Sequence, residues 1–224
     1  MTKESLLSND RDYHKITLSE TNSFKKYLPS IQKALRDTKD HFIGKVKIYI
    51  YVVNDREICS LPITFQSRHF MHLCGVKYST GPRGFIKDLE RKKLNLQNLY
   101  LKEDGSTFQK LEVIDKINLL DTLDTAVSIG NSMARIHYNS LLRTKANILG
   151  IAVDNDSNGV NFPLSLLNLS VIDTLTSFKV VAILEENKST HVKKCLQKDK
   201  NCNNKINEYI DQLLDVSQKM RRDI

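Results

Sequence analysis

The stretch Phe65-Gln-Ser-Arg-His-Phe-Met-His-Leu-Cys-Gly-Val-Lys-Tyr78 decides how the chain divides. Its apolar residues are core anchors, and as a short helix it sets His69 and His72 on one face while Phe70 and Leu73 point elsewhere. Thr80-Gly-Pro82 reads as the break after that helix. Before it, the pattern is one long helix followed by a hairpin. Thr17 and Glu20 form a capping box, and Phe24, Tyr27, Leu28, Ile31 and Leu35 recur at helical spacing, which predicts a helix over 18–39. Lys45–Val53 alternates β-branched and aromatic residues as a strand does. Asn54-Asp-Arg56 turns it, and Glu57–Phe65 returns as the second arm, with Pro62 requiring an edge or a bulge.

After it the helical signal continues to about residue 120. Phe85–Lys93 reads as a short basic helix. Ser106 and Gln109 read as a second capping box, opening a helix with Phe108, Leu111, Ile114, Ile117 and Leu120 on its apolar face. The pattern then changes to short β-like runs at Ala126–Ile129, Ile136–Leu142, Ala146–Val153, Phe162–Leu169 and Phe178–Leu184, spaced as an antiparallel meander. Asp154-Asn-Asp-Ser-Asn-Gly159 is a turn; it lacks the bidentate glutamate of a calcium loop. Residues 188–204 read as a polar loop. Ile206, Tyr209, Ile210, Leu213 and Leu214 mark a final amphipathic helix. Helices first and strands after predict an α+β fold: N-terminal helices packed on an antiparallel β-sheet, with a C-terminal helix. The expected division is a flexible N-terminus over 1–17, one α+β domain over 18–187, and the polar loop and helix over 188–224.

A chain of 224 residues buries roughly 70% of its unfolded surface and needs no disulfide or metal staple. Its formal charge of +8 favours polyanionic partners such as nucleic acid. No apolar run reaches the ~20 residues that span a bilayer, so no membrane is expected. The N-terminus has no basic start followed by an apolar core, and Cys59, Cys74, Cys195 and Cys202 form no CxxC pair; reduced thiols in a cytoplasm are the reading. There is no Walker loop, Rossmann glycine pattern, HExxH or GxSxG.

Metal-free RNA cleavage needs a base for the 2′-OH proton, an acid for the leaving oxygen and a cation for the phosphorane. His69 and His72 titrate near neutrality, and Arg68, Lys77 and Lys110 supply positive charge. The bland alternative has one histidine buried and satisfied and the other on the surface. Lys87, Arg91, Lys92 and Lys93 either contact phosphates or form a solvated face. Arg135, Arg143 and Lys145 sit in or beside predicted strands with His137 and Tyr138, a cation–aromatic mix that suits phosphate contact and stacking as well as core packing. The sets His69, His72 and Cys74, and His191, Cys195 and Cys202, lack the paired spacing of a structural zinc site, so no metal or other cofactor is expected.

Arg68-His-Phe-Met-His-Leu-Cys-Gly-Val76 resembles the "F-x-HL-x-G" stretch of the fourth phage Barnase-EndoU-ColicinE5/D-RelE-like nuclease family, the PBECR type. Thr107-Phe-Gln-Lys-Leu111 and Phe162-Pro-Leu-Ser-Leu-Leu167 agree with it in order, and the likeness extends over about residues 20–187. It implies a BECR fold with helices on a four-stranded antiparallel sheet, a ribonuclease site on the sheet, and a phage or mobile-element setting. The matching residues are His72, Lys110 and Ser165. The family leads one to expect an arginine after the late proline; this chain has Leu164.

The leading expectation is therefore a metal-independent, RNA-directed nuclease-like protein, a toxin acting on tRNA or mRNA, with a cognate antitoxin or other protein partner. His72 would be general base or acid, Lys110 and Arg143 would stabilise phosphate charge, and Ser165 would orient an oxygen. Lys77, Lys87, Arg91, Lys92, Lys93, Arg135 and Lys145 would bind nucleic acid. The alternative is a non-catalytic inhibitor or defence accessory that binds protein or nucleic acid on the same scaffold. A metal-dependent hydrolase using the histidines with Asp or Glu is a third reading.

Overall fold

A computed structural model describes residues 12–54, 56–129, 132–133, 136–144, 148–171 and 176–219. Strand β1 (Tyr13–Lys15) comes first, inside the stretch expected to be flexible. Helix α1 (Leu18–His41) follows, opened by the predicted capping box: Thr17 Oγ1 accepts from the Glu20 N–H, and the Glu20 carboxylate accepts from the Thr17 N–H. Its apolar stripe, Phe24, Ile31, Ala34 and Leu35, is buried in the main core.

Strands β2 (Lys45–Val53) and β3 (Glu57–Thr64) make the hairpin, in register from Val46 opposite Thr64 to Val53 opposite Glu57. β3 ends the sheet path, so Pro62 costs no ladder bond. Helix α2 (Ser67–Leu73), strand β4 (Val76–Tyr78) and helix α3 (Gly81–Glu90) come next. Gly81 and Pro82 open α3 and do not merely break the helix before it, because proline's fixed φ suits a first turn. β5 (Leu99–Lys102) lies between β1 and β4 in a three-stranded antiparallel sheet. The helix expected from Ser106 to Leu120 is shorter than its apolar spacing suggests. α4 (Ser106–Leu111) starts from Gly105 with no capping box and gives way to a 3₁₀ segment over Ile114–Asp121.

The meander is β6 (Thr125–Ile129), the paired dipeptides β7 (Ser132–Met133) and β8 (Ile136–His137), β9 (Ser140–Thr144), β10 (Leu149–Asn155), β11 (Asn161–Asn168) and β12 (Phe178–Asn187). It joins the early hairpin in an eight-stranded antiparallel sheet ordered β11-β10-β9-β6-β12-β2-β3, twice the size implied by the resemblance. The sheet curls until its two edges meet: the Asn161 side-chain amide donates to the Pro62 carbonyl at 2.9 Å. The eighth strand, β13 (Lys193–Lys198), pairs with β12 inside the segment that reads as loop by polarity. An edge strand facing water carries little hydrophobic alternation. Helix α5 (Asn204–Lys219) buries Ile206 and Ile210 against Ile48, Ile50, Ala182 and Leu184, covering the β2–β12 face opposite the main core.

Lys47, fully buried, ion-pairs with Asp121 at 2.7 Å and Glu185 at 2.9 Å. Burial raises the Glu185 carboxyl, but hydrogen bonds and charge from Lys47, with Lys194 and Lys45, outweigh it and leave the group below its ordinary range.

Candidate active site

The corner between α2 and β4 shows what the two histidines do. The imidazole Nδ1 of His69 accepts from the Gln66 N–H at 3.1 Å, capping the first turn, and its ring lies 5.8 Å from that of Phe162. Burial, then Arg68 and His72, push it down to about 4, so it is neutral at pH 7. His69 is thus committed to structure. Phe70, Met71 and Leu73 are buried, which leaves His72 facing solvent from the last turn.

Gly75 ends the helix with a left-handed φ of +69°, and more than conformation requires glycine there. A Cβ would stand 2.9 Å from Lys110 Cδ and 3.2 Å from Thr107 Cα. The Thr107 hydroxyl donates to the Gly75 carbonyl at 2.6 Å and accepts from the Lys102 N–H at 3.0 Å. One hydroxyl therefore ties the α2–β4 corner, β5 and the start of α4 together.

That tie aims Lys110. Its side chain passes across Gly75, is 8% exposed, and donates from Nζ to Ser165 Oγ at 3.0 Å. Among the described residues no carboxylate lies within ion-pair distance of it. Burial, then Lys102, push the ammonium down to about 8, against opposing contributions from Asp104 and Cys74. His72 is held below its ordinary value by partial burial and by Lys110, Lys102, Lys77 and Arg68. An imidazole and four cations thus converge at the end of α2.

Tyr13 lies beside them, with the Nζ atoms of Lys77 and Lys102 each 4.5 Å from its ring centroid. Burial, then Asp12 and Asp104, push its phenol up to about 12, so it stays neutral. Asp104 is raised by burial, but hydrogen bonds from Ser106 and the charges of Lys102 and Lys110 outweigh this and hold it ionised.

The structure brings His72, Lys110, Ser165 and Lys77 together. Arg143, on β9, pairs with Gly150, whereas Ser165 pairs with Ala152, which pairs with Leu141. Two strand spacings and two residues of offset put the Cα of Arg143 roughly 12 Å from that of Ser165, on the same face of the sheet. Lys87, Arg91, Lys92 and Lys93 are exposed at and beyond the end of α3. Arg135 and Lys145 lie outside the described residues, as does the side chain of His137. Thr107, Lys102, Tyr13 and Gly75 belong to the site and were missed by sequence reasoning; of these Gly75 and Thr107 stood in quoted motifs, without a role assigned to them. Among the described residues no three of His, Cys, Asp and Glu converge as a metal-ligand set, and no helix is long and apolar enough to cross a membrane.

A helical layer on a curled antiparallel sheet, with an imidazole–ammonium cluster where α2 and α4 meet the edge strand β11, defines a nuclease-like α+β protein. The chain belongs to the family described as phage-Barnase-EndoU-ColicinE5/D-RelE like nuclease4 (PBECR4), which matches residues 30–213. That match runs from within α1 to within α5, and so takes in β13 and leaves out β1. No curated protein and no solved structure matches the chain.

Proposed function

We propose that this protein is a metal-independent endoribonuclease whose cleft is formed by His72, Lys110 and Ser165. The observation that carries the reading is a buried ammonium with no carboxylate in ion-pair distance among the described residues, set beside an imidazole whose pKa is depressed. Such a pair suits a bound phosphodiester, whose charge replaces the missing counter-ion. The neutral imidazole of His72 takes the proton of a 2′-hydroxyl as that oxygen bonds to phosphorus. The P–O5′ bond breaks, and Lys110, protonated below about 8, gives its proton to the departing 5′-oxygen. The products are a 2′,3′-cyclic phosphate and a 5′-hydroxyl. Ser165, oriented by Lys110, holds a non-bridging oxygen, and Lys77 and Lys102 stabilise the phosphorane. Arg143 is given no part in these steps.

Family membership supports a phage or mobile-element setting, in which such an enzyme acts as a cytoplasmic toxin on tRNA or mRNA and is held in check by a cognate protein. Leu164, standing where an arginine is expected after Pro163, favours a second reading: a binding protein that holds RNA without cutting it.

The test incubates the purified protein with labelled tRNA and mRNA in excess chelator. Cleavage to 2′,3′-cyclic termini is expected, with a rate that falls as His72 protonates below its ordinary 6.5 and again as Lys110 deprotonates about pH 8. His72→Ala should lower the rate about 10²–10⁴-fold and abolish toxicity in cells. Intact RNA, or a His72→Ala variant that cuts and kills like the parent, refutes catalysis. Salt-sensitive RNA affinity without cutting would establish the second reading.

A further inference from the structure

The small sheet beside the cleft sorts its side chains by face. Tyr13 pairs with Lys102, and Lys15 and Lys77 both pair with Tyr100. Paired residues share a face, and residues two apart on β5 share it too. One face therefore carries Tyr13, Lys15, Lys77, Tyr100 and Lys102, while Leu99, Leu101, Val76 and Tyr78 on the other are buried in the core. On the first face Lys15 is exposed and the other four are half-buried. Two aromatic rings among three lysines match what single-stranded nucleic acid requires: π-faces for bases and cations for the backbone. Among the described residues, Asp12 lies 3.9 Å from Lys102 at the edge of this face.

We propose that this outer face of β1, β5 and β4 is a binding track for single-stranded RNA that leads into the His72 cleft. The proposal rests on the reading of that cleft as RNA-directed, and it adds the route by which the strand arrives. Lys77 and Lys102 belong to both surfaces, since both act on His72 and both sit over Tyr13. The Tyr13 ring attracts both ammonium groups and so helps to position them. Tyr100 and Lys15 extend the surface away from the cleft, the first for stacking and the second for phosphate. β1 precedes residues 30–213, the part of the chain that matches the family.

The experiment measures fluorescence anisotropy of end-labelled single-stranded RNAs of three and twelve nucleotides, with a twelve-base-pair duplex as comparison, across a salt series. Parallel cleavage assays use the wild-type protein. Tyr100→Leu should weaken binding of the twelve-mer about tenfold, with a far smaller effect on the three-mer. Lys15→Gln should lower the salt slope of log K by about 0.7, the value for one phosphate contact on a single strand. Tyr13→Leu should weaken the twelve-mer about fivefold, and Tyr13→Phe, which keeps the ring, should restore it; thermal melts confirm that each variant is folded. A Lys15→Gln, Tyr100→Leu double variant with wild-type affinity and salt slope overturns the track even if the enzyme cuts RNA. Equal affinity for duplex and single strand overturns it as well. Losses that follow this pattern in a protein that cuts nothing uphold the track and refute catalysis.

Discussion

Replacing Lys110 with methionine should make the protein more stable while destroying its activity. The lysine is 8% exposed and its pKa falls from 10.5 to about 8, so holding its charge in the folded state costs about 3 kcal/mol. Methionine fills nearly the same volume without charge. It forfeits the hydrogen bond to Ser165, worth about 1 kcal/mol, and Ser165 keeps the Leu166 carbonyl as an acceptor. The net gain at pH 7 is about 2 kcal/mol, a rise in melting temperature of roughly 4–8 °C for a chain of this size. The effect carries a pH signature. Between the folded value of about 8 and the unfolded 10.5, the unfolded lysine binds a proton that the folded one has released. Wild-type stability therefore rises with pH across that window, and the variant has no such term. Urea denaturation followed by circular dichroism at pH 7 and pH 10 should show the difference falling by about 2.5 kcal/mol, enough to close the gap. A Lys110→Met protein that is less stable than wild type at pH 7, or a gap independent of pH, would refute the view that Lys110 is a strained cation kept for an anionic ligand.

Gly75→Ala should cost about 2–3 kcal/mol, since the left-handed φ disfavours a Cβ and the new methyl meets Lys110 and Thr107; RNA cleavage should fall by more than about 100-fold because Lys110 is displaced, as urea titration and initial rates would show. Lys47→Met should destabilise by about 3–5 kcal/mol, the opposite sign to Lys110→Met, because it strands Asp121 and Glu185 without their shared cation. His69, at about 4 when folded and 6.5 when unfolded, makes the unfolded chain bind the extra proton between those values, so stability falls as pH drops through the window by up to about 3 kcal/mol. His69→Gln should lose stability less steeply over that window in thermal melts, while keeping its cleavage at neutral pH.

Where one physical signal dominates, the elements were legible. The capping box of α1, the alternation of β2 and the turn residues of the meander act locally, and the chain follows them. α4 failed because the same apolar spacing serves a helix or a 3₁₀ segment packed on α1, and tertiary packing chose. β13 failed because an edge strand lacks the alternation that betrays a buried one. The site divides in the same way. His72, Lys110 and Ser165 could be named from motifs and chemistry. Lys102 and Tyr13 join the set only through the pairing of β1, β4 and β5.

The three short motifs are weak in sequence because each contributes little more than one functional atom, with core or backbone geometry making up the rest. In the first, Gly75 matters through the side chain it lacks, and Leu73 is core. In the second, Thr107 closes the corner and Lys110, three residues on, emerges from the same short helix into the gap that Gly75 leaves. In the third, Ser165 receives Lys110 from the edge strand. They act as one unit, so a change in any of them should be felt at Lys110. The two lysines buried in this protein show why that unit points to function. Lys47 is neutralised by two carboxylates and holds the fold together. Lys110 is nearly as buried, has no carboxylate within ion-pair distance among the described residues, and is opposed by the charge of Lys102. A charge arranged in that way is complete only when a negative ligand occupies the cleft.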